Sequence, residues 1–200
     1  MEIIKIVYID DEPEPALSEY LDIYSKEFEN DKKITIEKED VVFDSAWGYE
    51  QLIQNEVVTQ ANIIIIDSRL FEFSKNGNKF SGEDFKIILK KIFPFIEVIV
   101  ISQNEISQGY QTIKKYKKNN KQTPIEYYNQ NIPQVLDKAV SSVIEARQIV
   151  ERMSKSENVE KVLVEKLENL LEGHNEYNEF TKTDIDELIT AFREIQEKYE

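Results

Sequence analysis

Residues 3–12 read IIKIVYIDDE, and this stretch decides the fold class. A run rich in β-branched residues that stops at two adjacent aspartates is typical of a buried strand followed by a polar loop. The pattern returns in residues 62–67, NIIIID, and in residues 96–102, IEVIVIS. Because segments with helical periodicity separate these runs, we expect a parallel sheet that is covered by helices on both faces.

Two further strands complete the expected sheet. Ile34, Ile36 and Val41–Phe43 predict the second strand of the chain. Pro124–Tyr128 predicts the fifth strand. Helical spacing of apolar residues and helix-terminating prolines predict the helices at residues 14–28, 46–57, 83–93, 105–118 and 133–153.

Length and composition limit the class of protein. The 200 residues suit one domain with an appendage, and we expect the domain to comprise residues 1–150 and a helical extension to comprise residues 151–200. The chain has no cysteine, which excludes disulfides and thiol catalysis. The amino terminus lacks the features of a signal peptide, and the longest aliphatic run, Ile63–Ile66, is too short to span a membrane. We therefore expect a cytoplasmic protein.

The net charge of −14 argues against direct binding to nucleic acids or anionic membranes, because like charges repel. The charge is unevenly distributed. Residues 1–74 hold 18 acidic and 6 basic residues, whereas residues 75–121 hold 4 acidic and 10 basic residues. Two interpretations remain open: solvated helix faces of different charge, or a local anionic site next to a lysine-rich flank.

Polar residues end three of the expected strands. Asp10 and Asp11 follow the first strand, Asp67 follows the third and Ser102 ends the fourth. The carboxyl ends of parallel strands meet at one edge of a sheet, where ligands bind. Carboxylates gathered there without histidine or cysteine favour a hard cation, Mg²⁺ first, and an aspartate at such a site can act as a nucleophile toward phosphorus.

These motifs together resemble the receiver domain of two-component response regulators. The resemblance rests on IVYIDDEP at residues 6–13, IIIIDSRL at 63–70, Ser81-Gly82 at the start of a helix, and VIVIS at 98–102. It covers about residues 1–150. It implies a flavodoxin-like (βα)5 fold, a doubly wound parallel sheet of strand order 2-1-3-4-5, followed here by a C-terminal α-helical hairpin.

The resemblance also implies a set of roles at the strand ends. Asp67 would be the phosphoacceptor. Asp11 and Asp67 would bind Mg²⁺ directly together with the backbone carbonyl of Arg69, and Asp10 would act through water. Ser102 would hydrogen-bond the phosphoryl group.

Near the expected fifth strand the sequence has one feature of the family pattern and lacks another. An aromatic residue there, Tyr127 or Tyr128, is the candidate that would change rotamer on activation. The family has a Lys-Pro pair after this strand, and the matching stretch at residues 127–131, YYNQN, contains neither residue. Two interpretations of the lysines in the preceding helical segment remain open. One of them could substitute for the missing cation, or, as we favour, they form a solvated helix face or a partner-docking surface: Lys114, Lys115, Lys117, Lys118 and Lys121.

The extension has two amphipathic stripes, one between residues 159 and 171 and one between residues 185 and 199. They would pack either on the receiver-like domain or, as we slightly favour, in a homodimer or against a partner. The only histidine, His174, lies in an expected turn and is a poor candidate for phosphotransfer.

Three functions are consistent with this sequence. The first is a non-enzymatic signalling module that receives a phosphoryl group on Asp67 from a histidine kinase or phosphotransfer protein and acts on an effector protein. The second is a pseudo-receiver scaffold or adaptor that works without phosphorylation. The third and least favoured is an Mg²⁺-dependent phosphatase, because no dedicated general acid accompanies Asp67.

Overall fold

A single parallel sheet organises the chain in a computed structural model that describes residues 2–31, 34–71, 81–103, 112–118, 121–156 and 160–172. Its strand order is β2-β1-β3-β4-β5, and every neighbouring pair is parallel. The expected α/β doubly wound, flavodoxin-like fold is therefore confirmed. The strands are β1 (Glu2–Asp10), β2 (Ile34–Val42), β3 (Ile63–Asp67), β4 (Glu97–Ser102) and β5 (Thr112–Lys114).

Helices cover both faces of this sheet. The face formed by alternate residues such as Val7 and Ile9 packs on the helices between β2 and β4, and the face formed by Ile6 and Tyr8 packs on the first helix and on those that follow β5. Strand β3 is buried along its whole length. The helices are α1 (Pro15–Asp31), α2 (Tyr49–Gln54), α3 (Glu56–Thr59), α4 (Gly82–Ile92), α5 (Pro124–Asn131), α6 (Pro133–Ser154) and α7 (Lys161–Leu171).

The prediction of a fifth strand at Pro124–Tyr128 is wrong, because this stretch begins α5. Thr123 caps the helix by accepting a hydrogen bond from the Glu126 amide, and the Glu126 carboxylate accepts one from the Thr123 amide. This reciprocal capping box satisfies amides that a helix start leaves without partners, and Pro124 suits the first helical turn. Tyr127 and Tyr128 consequently lie on a helix.

The fifth strand lies earlier in the chain than expected. Thr112–Lys114 pairs with β4, with Thr112 opposite Val100 and Lys114 opposite Ser102. Nine residues, 103–111, join the two strands. The predicted helix at residues 105–118 is wrong at residues 112–114, because these residues form β5. Residues 104–111 lie outside the described part of the chain.

The extension is described as far as residue 172. Helix α6 continues through residue 150, and α7 packs against it by burying Val164. The second stripe of the expected hairpin and His174 lie outside the described residues, so the division at residue 150 and the pairing of the tail remain predictions. None of the described helices is long and apolar enough to cross a membrane.

Tyr20 on α1 offers a test of the packing between α1 and α5. Its ring lies 6.2 Å from the ring of Tyr128, and its buried hydroxyl has no hydrogen-bond partner among the described residues. Burial, followed by the negative charges of Asp137 and Glu27, raises the pKa of Tyr20 above its ordinary value of 10.0. The unfolded chain therefore loses this proton first, and the contribution of Tyr20 to stability is lost as pH rises above 10.

We expect Tyr20→Phe to be at least as stable as the wild type at pH 7, because it removes a buried hydroxyl without a partner among the described residues, and to exceed the wild type by a growing margin above pH 10. The gap should widen by about 1.4 kcal/mol per pH unit, because one proton fewer is released on unfolding. Urea unfolding between pH 8 and pH 11 measures it. A gap that does not change with pH would contradict this packing.

Candidate functional site

The carboxyl ends of four strands bring one lysine, two aspartates and one serine together. Asp10 ends β1, Asp67 ends β3, Ser102 ends β4 and Lys115 directly follows β5. Asp10, Asp67 and Ser102 are 1%, 7% and 6% exposed, so the polar groups lie largely out of solvent. Buried polar groups need partners: here Lys115 pairs with both aspartates, and Ser102 accepts a hydrogen bond from the Ser68 hydroxyl.

Lys115 connects the two buried carboxylates. Its Nζ donates to Asp10 Oδ2 at 2.7 Å and pairs with Asp67 Oδ2, and its side chain is 12% exposed. Burial works against the ammonium charge, but hydrogen bonds to Asp10 and Asp67 and their negative charges outweigh it, so the pKa of Lys115 is raised. The Lys115 ammonium therefore lies between two carboxyl groups that favour its charge.

The interpretation that the lysine after strand five is missing is wrong. It followed from the misplaced strand, because β5 ends at Lys114 and Lys115 is the residue that directly follows it. Lys115 does not belong to a solvated helix face. Lys117, Lys118 and Lys121 are exposed, as that interpretation expected for lysines of this segment.

The loop after Asp67 is held close to the start of α4. The Arg69 amide donates to Asp67 Oδ1 at 2.6 Å, and the Gly82 amide donates to the Ser68 carbonyl at 2.9 Å. The Ser68 hydroxyl donates to Ser102 Oγ at 2.8 Å across two neighbouring strand ends. The loop thus places Asp67, Ser68 and Ser102 on one rim of the pocket.

Asp11 lies at the solvent edge of the same pocket. Partial burial, a hydrogen bond with Asp10 and the negative charges of Asp10 and Asp67 raise its pKa. Burial is the largest of these causes, and the negative charges of Asp10 and Asp67 add to it, so this part of the pocket disfavours a further negative charge. A divalent cation would offset this negative charge, and the oxygen-only donors are of the kind that Mg²⁺ prefers.

The type of donor atom at Asp10, Asp11, Asp67 and the carbonyl of Arg69 is the one that the expected Mg²⁺ takes, but the arrangement of the carboxylates is not that of a metal site. Among the described residues, no group of three or more acidic or histidine side chains is arranged so that it could hold a metal ion. Lys115 takes up the space between Asp10 and Asp67.

The two candidate switch aromatics make their hydrogen bonds away from the aspartates. The Tyr127 hydroxyl donates to the Lys114 carbonyl at 3.0 Å. The Tyr128 hydroxyl donates to the Glu14 carboxylate and accepts from the Tyr116 amide at 3.1 Å. Both therefore contact the segment that carries Lys115, although from α5 and not from a strand.

No family model, curated protein or solved structure matches the chain. The functional assignment therefore depends on the pocket itself. Asp10, Asp11, Asp67 and Ser102 were candidates from the sequence, whereas Lys115 was only one of five lysines that could have replaced the missing cation and was not the favoured interpretation.

Proposed function

We propose that Asp67 accepts a phosphoryl group and that the chain acts as a receiver module in signal transduction. The observation that carries this proposal is the contact of Lys115 with both Asp67 and Asp10 at the carboxyl edge of the sheet. A nucleophilic carboxylate, a fixed cation and a hydroxyl at Ser102 are the groups that phosphoryl transfer to an aspartate requires.

In the proposed step, an Asp67 carboxylate oxygen forms a new bond to phosphorus. The bond between phosphorus and the donor's leaving group breaks, its electron pair stays with the leaving group, and that group takes up a proton from solvent. The Lys115 ammonium would turn from its contacts with Asp67 and Asp10 toward the phosphoryl oxygens, and Ser102 would donate a hydrogen bond to them. Bound Mg²⁺, held by Asp10, Asp11, Asp67 and the Arg69 carbonyl, would supply neutralising charge for the transferred group.

The resemblance to receiver domains suggests the partners. The donor would be a histidine kinase or a phosphotransfer protein in the cytoplasm, and the acceptor of the signal would be an effector protein. The chain would be no enzyme beyond its own phosphorylation and dephosphorylation. Its tail would transmit the signal by docking a partner or by forming a homodimer.

Beryllofluoride, which mimics a phosphoryl group without a covalent step, tests the proposal. With Mg²⁺ present, we expect fluorine NMR to show protein-bound signals for the wild type, because Asp67 supplies an oxygen ligand and Lys115 a countercharge. Asp67→Asn should show none. Asp22→Asn, at an exposed position on α1, is the matched control and should behave like the wild type.

Two results would contradict the proposal: no bound signal in the wild type, or equal signals in the wild type and Asp67→Asn. Either would favour the scaffold that works without phosphorylation.

A further inference from the structure

Two fully buried tyrosines link the pocket to helix α5. Tyr8 precedes Asp10 by two residues on β1, so both side chains lie on the same face of the strand. The Tyr8 hydroxyl donates to Asp10 Oδ2 at 2.6 Å, which is the oxygen that also accepts from Lys115 Nζ. Tyr8 therefore helps to fix the carboxylate that holds the lysine.

Glu14 extends this connection to the start of α1. Its backbone amide donates to the Tyr8 hydroxyl at 3.2 Å, and its carbonyl accepts from the Ser18 amide at 3.0 Å in the first turn of the helix. The Glu14 carboxylate accepts from the Tyr128 hydroxyl on α5. One residue thus contacts both tyrosines, one through its backbone and the other through its side chain.

Tyr128 closes the network into a ring. Its hydroxyl accepts from the amide of Tyr116, the residue after Lys115. We call this closed set of contacts the hydrogen-bonded ring. It runs through Lys115, Asp10, Tyr8, Glu14, Tyr128 and Tyr116, and it returns to the segment where it began. Burial is the largest cause that raises the pKa values of Tyr8 and Tyr128, and the acids beside them raise them further, so both phenols keep the protons they donate.

We infer that the hydrogen-bonded ring couples the position of Lys115 to helix α5, with Tyr8 and Tyr128 as positioning residues. A group bound at Asp67 that draws Lys115 from Asp10 changes one contact of the ring directly. It also shifts the backbone at Tyr116, which Tyr128 holds from α5. This inference rests on the proposed function for the identity of the bound group, and it identifies α5 as the element that responds.

Hydrogen exchange of the α5 amides, with beryllofluoride and Mg²⁺ as the probe, tests the coupling. In the wild type we expect the probe to change the exchange rates in residues 124–131 by about threefold or more. Tyr128→Phe should still bind the probe, as seen by fluorine NMR, but lose this change. Tyr8→Phe should bind the probe about fivefold more weakly, because one hydrogen bond to Asp10 is lost.

Tyr24→Phe is the matched control, since Tyr24 is a buried tyrosine that donates to a carboxylate, Asp137, outside the ring. It should bind the probe and respond as the wild type does. A Tyr128→Phe protein that binds the probe and shows the full change in α5 would overturn the inference.

A measurement without the probe separates failure of the inference from failure of the proposed function. Unfolding of Lys115→Met, Tyr128→Phe and the double variant forms a thermodynamic cycle. We expect the double variant's unfolding equilibrium constant to depart about fivefold from the product of the single effects. Additive effects of the two substitutions on unfolding would overturn the inferred coupling. Coupled effects in a protein that binds no beryllofluoride would overturn the proposed function alone.

Discussion

Lys115→Met is expected to destabilise the fold by about 3–5 kcal/mol at pH 7, because it leaves buried carboxylates without their cation. Methionine keeps much of the length and apolar volume of the lysine but none of its charge. Asp10 and Asp67, which Lys115 now joins, would then face each other with Asp11 nearby. Urea unfolding followed by circular dichroism measures the loss.

Lys117→Met is the matched control, because Lys117 is exposed and only two residues away. Its effect should stay within about 0.5 kcal/mol. Equal stability of the two variants would show that Lys115 is not the cation on which the pocket depends.

Mg²⁺ should restore part of the stability that Lys115→Met loses. A divalent cation that binds the folded carboxylates and not the unfolded chain adds about 2.7 kcal/mol at a hundredfold excess over its dissociation constant. Repeating the unfolding with Mg²⁺, and with the same ionic strength of NaCl, separates binding from screening. Equal effects of the two salts would contradict a specific cation site.

Gly82→Ala is expected to have the second large effect. A Cβ atom at Gly82 would lie 2.4 Å from the Asp67 carbonyl oxygen and 3.0 Å from Ser68 Cα, and both are backbone atoms. Neither can move away as a side chain could, so the loop and α4 would have to separate. Overpacking of this kind costs about 3 kcal/mol, and here it would also displace Asp67.

Thermal and urea unfolding measure this loss, and Gly48→Ala provides the comparison. Gly48 has an extended backbone, with φ of −101° and ψ of −174°, that any residue can adopt. Its replacement should cost no more than about 1 kcal/mol through the weaker helix cap. A Gly82→Ala protein as stable as Gly48→Ala would show that α4 does not press on the Asp67 loop.

The central strands were predictable from sequence because they are apolar on both faces. β1, β3 and β4 each read as an aliphatic run that stops at a polar residue, and a parallel sheet then requires those ends to meet. Asp10, Asp67 and Ser102 could therefore be assigned to one pocket before any distance was known. Helices α1, α4 and α6 followed from their periodicity and prolines.

The fifth strand was missed because its pattern is too short to compete with helical signals. A strand of three residues, Thr112–Lys114, at the edge of a sheet has little periodicity. Because a helix was expected at residues 105–118, the fifth strand was predicted after it, at Pro124–Tyr128. The Thr123–Glu126 capping box is the local signal that identifies a helix there. A helix that begins at this capping box requires the fifth strand to lie earlier in the chain, which places Lys115 near the pocket.

The hydrogen-bonded ring could not be predicted from the sequence, since its members are far apart in the chain. Tyr128 and Glu14 are 114 residues apart, and Lys115 and Asp10 are 105 residues apart. Tyr8 looks like a core residue of a strand. Only its two-residue spacing from Asp10 hints that its hydroxyl can reach the carboxylate.

Covalent labelling tests the central claim, that Asp67 accepts a phosphoryl group, most directly. The full chain is incubated with Mg²⁺ and a small phosphodonor such as acetyl phosphate, its intact mass is measured, and borohydride reduction followed by peptide mapping locates the acyl phosphate. We expect one phosphoryl group per chain, located at Asp67, none in Asp67→Asn, and normal labelling in Asp22→Asn. No gain of mass in the wild type, or a phosphoryl group at another residue, would contradict the account.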